Sequence, residues 1–204
     1  MGTVARSVLV TGFPGRQPAV HLVRELASRG DRTVCCVVPE SRQERAEELL
    51  GALPDDARGR VSLWLGDPRS IDFGLSGDEL AQLTERVEVI HHCASITDPA
   101  ATEEEAEGNI KATAELLEFA ESVSRLERIV FWSSATVSGN REGFVREDEL
   151  SDSMGFRNPV EESLYECERM LREATDDFSV VIVRPALMVG DSRTGETDDL
   201  TGLY

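Results

Sequence analysis

The sequence predicts an α/β protein built on one doubly wound parallel sheet, and two observations carry that prediction. Short runs rich in Val, Ile and Leu alternate along the chain with longer segments of helical period. Several of the short runs look buried on both faces, as strands covered by helices on each side must be. SVLVT is the first strand, and AVHLVRELASRG the helix after it, with Val20, Val23 and Leu26 on one buried stripe and Gly30 as its stop. TVCCVV, SRQERAEELLGAL and RVSLWLG supply strand two, a helix and strand three. SGDELAQLTERV then leads to strand four, VEVIHHCA, and AEGNIKATAELLEFAESV to strand five, RIVFWSS. PVEESLYECERMLREAT is the last helix and FSVVIVRPA the sixth strand. Right-handed crossovers give the order 3-2-1-4-5-6, so a ligand is expected over the carboxyl ends of strands one and four, where the order reverses.

The 204 residues fit one domain spanning 1–204, with 40% hydrophobic and 29% charged residues. No apolar run reaches the length of a membrane span and no signal-peptide layout opens the chain, so a cytoplasmic protein is expected. With 21 basic and 39 acidic residues the net charge is -18, which repels nucleic acid and anionic lipid. A protein partner is the remaining macromolecular expectation. Cys35, Cys36, Cys93 and Cys167 have no metal-ligand spacing and are expected as buried thiols, with no metal site. Lys111 is the only lysine, and Tyr165 and Tyr204 are the only tyrosines.

TGFPGRQPA, residues 11–19, turns from the first strand into its helix. Such a glycine turn lets the backbone approach a pyrophosphate, whose charge the helix N-terminus then favours. Gly12 and Gly15 fit that role, whereas the third glycine position of the spacing is Pro18. Proline is tolerated in a first helical turn, but it is bulkier than glycine where helix and strand pack closely.

Eight stretches resemble the extended short-chain dehydrogenase/reductase family, in its thioester reductase and fatty acyl-CoA reductase branch: VTGFPG, LGDP (65–68), GLSGDELAQL (74–83), HHCAS (91–95), GNIKATAELLEFA (108–120), FWSSATVSG (131–139), FRNPVEES (156–163) and RPALMVGDSRTGE (184–196). The resemblance covers nearly the whole chain and implies a Rossmann fold that binds NAD or NADP. It puts Gly12, Phe13 and Gly15 around the pyrophosphate and Asp67 beside the adenine. Cys93 and Ala94 would line the cofactor, Asn109 would hold a kink in the long helix, and Pro185 would flank the nicotinamide. After strand two, Arg42 would reach a 2'-phosphate and Glu40 a ribose hydroxyl, which leaves NAD against NADP open.

In this family a tyrosine transfers the proton, a lysine one turn later lowers its pKa and holds the ribose, and a serine orients the carbonyl. Ser134 matches the serine, but Val160 stands at the tyrosine position and Leu164 at the lysine position. Tyr165 is about 140° round the helix from Val160, and Lys111 is on another helix. The resemblance therefore implies a nucleotide-binding or protein-interaction pseudoenzyme; the alternative is an NAD(P)H-dependent reductase of an acyl thioester or other carbonyl. Extended members continue past RPALMVGDSRTGE, so the substrate subdomain is expected to be absent or truncated after DDLTGLY.

Overall fold

The computed structural model describes residues 6–188. The VGDSRTGE part of the last motif and Tyr204 lie outside the described residues. Six strands form one parallel sheet: β1 (Ser7–Thr11), β2 (Thr33–Val38), β3 (Val61–Leu65), β4 (Val87–His92), β5 (Arg128–Trp132) and β6 (Val180–Val183). Their order is β3-β2-β1-β4-β5-β6, as expected. The helices are α1 (Gln17–Arg29), α2 (Gln43–Gly51), α3 (Asp55–Arg58), α4 (Gly77–Arg86), α5 (Glu103–Ser122) and α6 (Pro159–Glu173).

The period-two alternation of the strands divides the core into two layers. Leu9, Cys35, Val37, Ile90, Ile129 and Phe131 face one way and pack with Leu116 and Phe119 of α5 and Cys167 and Leu171 of α6. Val8, Val10, Val34, Cys36 and Val38 face the other way and pack with Ala19 and Val23 of α1 and Ala46 and Leu50 of α2. The continuous apolar character of β1 and β2 thus follows from cover on both faces. All four cysteines are buried free thiols.

Local chemistry sets the helix ends. Gly30, at φ 75°, closes α1 in the left-handed region, its N–H donating to the Leu26 carbonyl. Ser76 with Glu79, and Thr102 with Glu105, form reciprocal capping boxes that start α4 and α5. Asn158 accepts from the Glu161 N–H and Pro159 follows it in the first turn, so α6 begins one residue before Val160.

A buried ionic node ties α6 to the ends of β5 and β6. Glu168 is fully buried, takes a hydrogen bond from Ser133 Oγ at 2.6 Å, and receives Arg184 Nε at 2.9 Å and Nη2 at 2.6 Å. Glu168→Ala leaves Arg184 without its carboxylate and is expected to cost about 3–5 kcal/mol in denaturant unfolding. A loss below about 1 kcal/mol would show that the node does not hold α6 in place.

Candidate functional site

The strand order reverses between β1 and β4, and a cavity of about 250 Å³ opens there. Gly12 makes the junction possible. It has φ 88°, and a Cβ on it would strike the Cys93 carbonyl at the end of β4. Gly15 and Arg16 donate their N–H groups back to the Gly12 carbonyl, each at 2.9 Å, which closes the turn into α1. No side chain caps α1 and no acid stands in its first turn, and Pro18 removes one N–H from that turn.

Of the residues that the resemblance assigns to a nucleotide, Gly12, Phe13, Asp67 and Ala94 line this one cavity. Phe13 itself is 2% exposed, its side chain packed in the core beside Val10 and Cys93. Gly15 is not among the lining residues, and the Arg42 guanidinium lies in the space a Cβ on it would take. Cys93 is buried beneath Gly12, and burial pushes its thiol pKa up. Pro185 stands apart from the cavity lining, after β6, where its carbonyl accepts the Ala135 N–H at 3.0 Å.

The sequence reading missed three features of the lining: Arg16, Arg69 and Ile96. Asp67 is held by Arg69, which donates Nε at 3.0 Å and Nη2 at 2.8 Å, and these bonds keep the carboxyl below its usual pKa. Gly108 on α5 makes room for that arginine, since a Cβ there would meet Arg69 Cδ at 3.2 Å. Arg42 also lines the cavity, whereas Glu40 is outside the lining. Burial, and after it the Arg42 charge, lowers the pKa of Arg16.

Asn109 does not act as the expected helix kink. α5 runs unbroken from Glu103 to Ser122, and the buried Asn109 amide reaches across to two other segments. Its Oδ1 accepts the Ile96 N–H at 2.7 Å, and its Nδ2 donates to the Ile96 carbonyl and to Ser163 Oγ, both at 3.0 Å. Four-residue helical spacing alone suggests a kink or a solvated polar position; only the tertiary partner distinguishes this clamp. Through Ser163 it fixes the register of α6, on which Val160 and Leu164 lie.

Val160 is 1% exposed and Leu164 0%, and they form an apolar cluster with Ala106 and Val137, against which Ile96, Leu150 and Tyr165 pack. Ser134 caps the 3-10 turn 135–138: its Oγ accepts the Thr136 N–H at 3.2 Å and pairs with Thr136 Oγ1 at 3.0 Å. Tyr165 stacks obliquely on Phe156 and lines a separate hollow with Arg141 and Glu149. Lys111 is exposed on α5. Among the described residues no cluster of side chains has a metal-binding arrangement, and no helix is long and apolar enough to cross a membrane.

Residues 10–204 match the family described as male sterility protein, an NAD-binding family. The chain belongs to this family. It is an extended short-chain dehydrogenase/reductase of the thioester reductase-like kind, with a reductase-like, NAD(P)-binding Rossmann domain. Among solved structures, the terminal R domain of the myxalamid PKS-NRPS biosynthetic pathway is 27% identical with a TM-score of 0.82, covering 98% of this chain and 53% of that one. The R domain of a non-ribosomal peptide synthetase from Mycobacterium tuberculosis is 25% identical with a TM-score of 0.72, covering 93% of this chain and 50% of that one. The non-reducing polyketide synthase pkiA of Emericella nidulans is 28% identical over 205 residues, 92% of this chain and 8% of the synthase. The chain thus spans about half the length of the R domains it resembles.

Burial of two neighbouring histidines of this male sterility family domain, His91 and His92 at the end of β4, is expected to make its stability pH-dependent, and His92 is the deeper of the two. It is fully buried, hydrogen-bonds Thr11 Oγ1 through Nδ1 at 3.0 Å and stacks on Phe131. Burial lowers its pKa from 6.5 to about 4. Between those values the unfolded chain binds the proton and the folded chain does not, so this contribution is full above pH 6.5 and is lost as pH falls towards 4. His92→Gln is expected to reduce the pH slope of unfolding free energy in that window by up to about 1.4 kcal/mol per pH unit. An unchanged slope would show that His92 does not titrate on unfolding.

Proposed function

We propose that this domain binds a dinucleotide of the NADP type between β1 and β4 and has lost hydride transfer, acting as a nucleotide-binding or protein-interaction pseudoenzyme. The observation that carries this is the burial of Val160 and Leu164, at the tyrosine and lysine positions, inside an apolar cluster. A bound nicotinamide supplies the hydride, while the protein's task is to give a proton to the carbonyl oxygen and to orient it. Val160 has no proton to give and Leu164 has no ammonium, while the Ser134 oxygen accepts from the Thr136 N–H and Oγ1 and keeps its own O–H to orient a carbonyl. Loss of a positioned general acid costs about 10²–10⁴ in rate.

Gly12 and Gly15 would let the phosphates approach the backbone, with Ala94 beside them. Arg42 in the lining supports NADP over NAD, because a 2'-phosphate answers a guanidinium whereas a free ribose diol calls for an acceptor such as Glu40. A macromolecular partner would be another protein, since a net charge of -18 opposes nucleic acid and anionic membrane.

The likeness to the R domains favours a second reading, an NADPH-dependent reductase of an acyl thioester or other carbonyl that takes its proton from water or substrate. Oxidation of NADPH in the presence of an aldehyde or an acyl thioester separates the two. The pseudoenzyme predicts no oxidation above the buffer rate, with Val160→Tyr plus Leu164→Lys raising it. Sustained turnover by the unaltered chain would overturn it. NADP at about a hundred times its dissociation constant should stabilise the fold by about 2.7 kcal/mol, and no stabilisation would contradict nucleotide binding.

A further inference from the structure

We infer that Phe73 is a positioning residue for the candidate nucleotide site: with Asp72 it holds the turn after β3 in a left-handed backbone conformation, and that turn sets Asp67 and Arg69 against the cavity. The inference rests on the nucleotide-binding reading above and adds to it two residues that lie behind the lining.

The backbone outlier comes first. Asp72 has φ 52° and Phe73 has φ 57°, the two non-glycine residues at positive φ among the described residues, and Gly74 follows at φ 69°. This conformation brings Cβ close to the following carbonyl oxygen, a contact that glycine avoids and aspartate tolerates better than most residues. A phenylalanine there is a true outlier. Tertiary packing offsets its cost: Phe73 is fully buried, with its ring centroid 5.0 Å from that of Phe119 on α5, in the layer that holds Leu9, Ile90 and Phe131. Ile71 and Asp72 before it are exposed, so the side chain that fixes the turn is that of Phe73.

The same residue closes the turn with its backbone. Its carbonyl accepts the Asp67 N–H at 2.8 Å, and its N–H donates to the Ser70 carbonyl at 2.8 Å. Within the ring so formed, Arg69 donates its own N–H to Asp67 Oδ1 at 3.0 Å in addition to the two guanidinium bonds. The ring meets α5 at two places about three helical turns apart, Phe73 on Phe119 in the core and Arg69 over Gly108 beside the cavity. Asp67, Pro68 and Arg69 are the part of it that lines the cavity. Strain of this kind persists only where the surroundings over-determine it, and here it fixes the orientation of a cavity wall.

Asp72 gives a clean test, because its exposed side chain is outside the lining and only its backbone enters the argument. Asp72→Gly permits the left-handed conformation, Asp72→Val disfavours it, and Asp72→Pro forbids it by fixing φ near about −65°. In the intact chain each variant is followed by hydrogen exchange at the Asp67 amide, measured against the amides of β1 as the reference for an intact fold, and by calorimetric titration with NADP. We expect Asp72→Gly to keep both readouts within about twofold of the unaltered chain. Asp72→Pro should speed Asp67 exchange and weaken NADP binding, each by about tenfold or more, with Asp72→Val in between; the valine variant carries the test if the proline variant does not fold. Faster exchange with unchanged NADP affinity would overturn the positioning role and leave nucleotide binding intact. Unchanged exchange in the valine and proline variants would overturn the account of the turn. No binding of NADP by the unaltered chain would overturn the inference together with the reading beneath it.

Discussion

The contact on which the rest of the molecule depends is the approach of Gly12 to the Cys93 carbonyl. Two parallel strands run side by side through β1 and β4, and immediately beyond them the chain must leave in opposite directions, to α1 and to α5. The turn after β1 does so at φ 88°, with its inner edge against Cys93 and Ala94. No side chain fits there, so glycine is required for both backbone conformation and space. The gap left between the two departing segments is the cavity, and the segments after β2 and β3 complete its lining with Pro39, Arg42, Asp67 and Arg69.

Two polar devices then determine how far the cavity extends. Asn109 joins the loop after β4 to α6 through Ile96 and Ser163, and Glu168 joins α6 to β5 and β6 through Ser133 and Arg184. A buried carboxylate is costly to desolvate, and the node offsets that cost by giving it three good donors. Held at both ends, α6 presents Val160 and Leu164 to the space beside Ile96, and alkyl groups there pack into a closed cluster. Val160 and Leu164 are thus buried at the positions that the family resemblance gives to a tyrosine and a lysine.

Much of this was legible in the sequence. Strand order followed from the alternation of elements and the handedness of crossovers, Gly12 from the glycine turn after the first strand, and Asp67 and Ala94 from the family resemblance. The identity of the residues at 160 and 164 was also readable, because the helix start at Asn158 and Pro159 fixes their register. What was not legible depends on long-range partners. Asn109 read as a local helix feature because its ligands lie 13 and 54 positions away. Arg16 and Arg69 carry no sequence motif that marks them as lining residues; only the fold brings them to one cavity with Ala94 and Asn109. Ile96 gained its meaning only when its two faces were seen, one on the cavity and one on the cluster.

The central proposal is that a dinucleotide binds in the cavity between β1 and β4. Saturation-transfer NMR with NADP tests it most directly, since the adenine protons report on that cavity. The account predicts strong transfer to the adenine protons, lost on addition of excess unlabelled competitor NAD(P). No transfer to the adenine protons would contradict it.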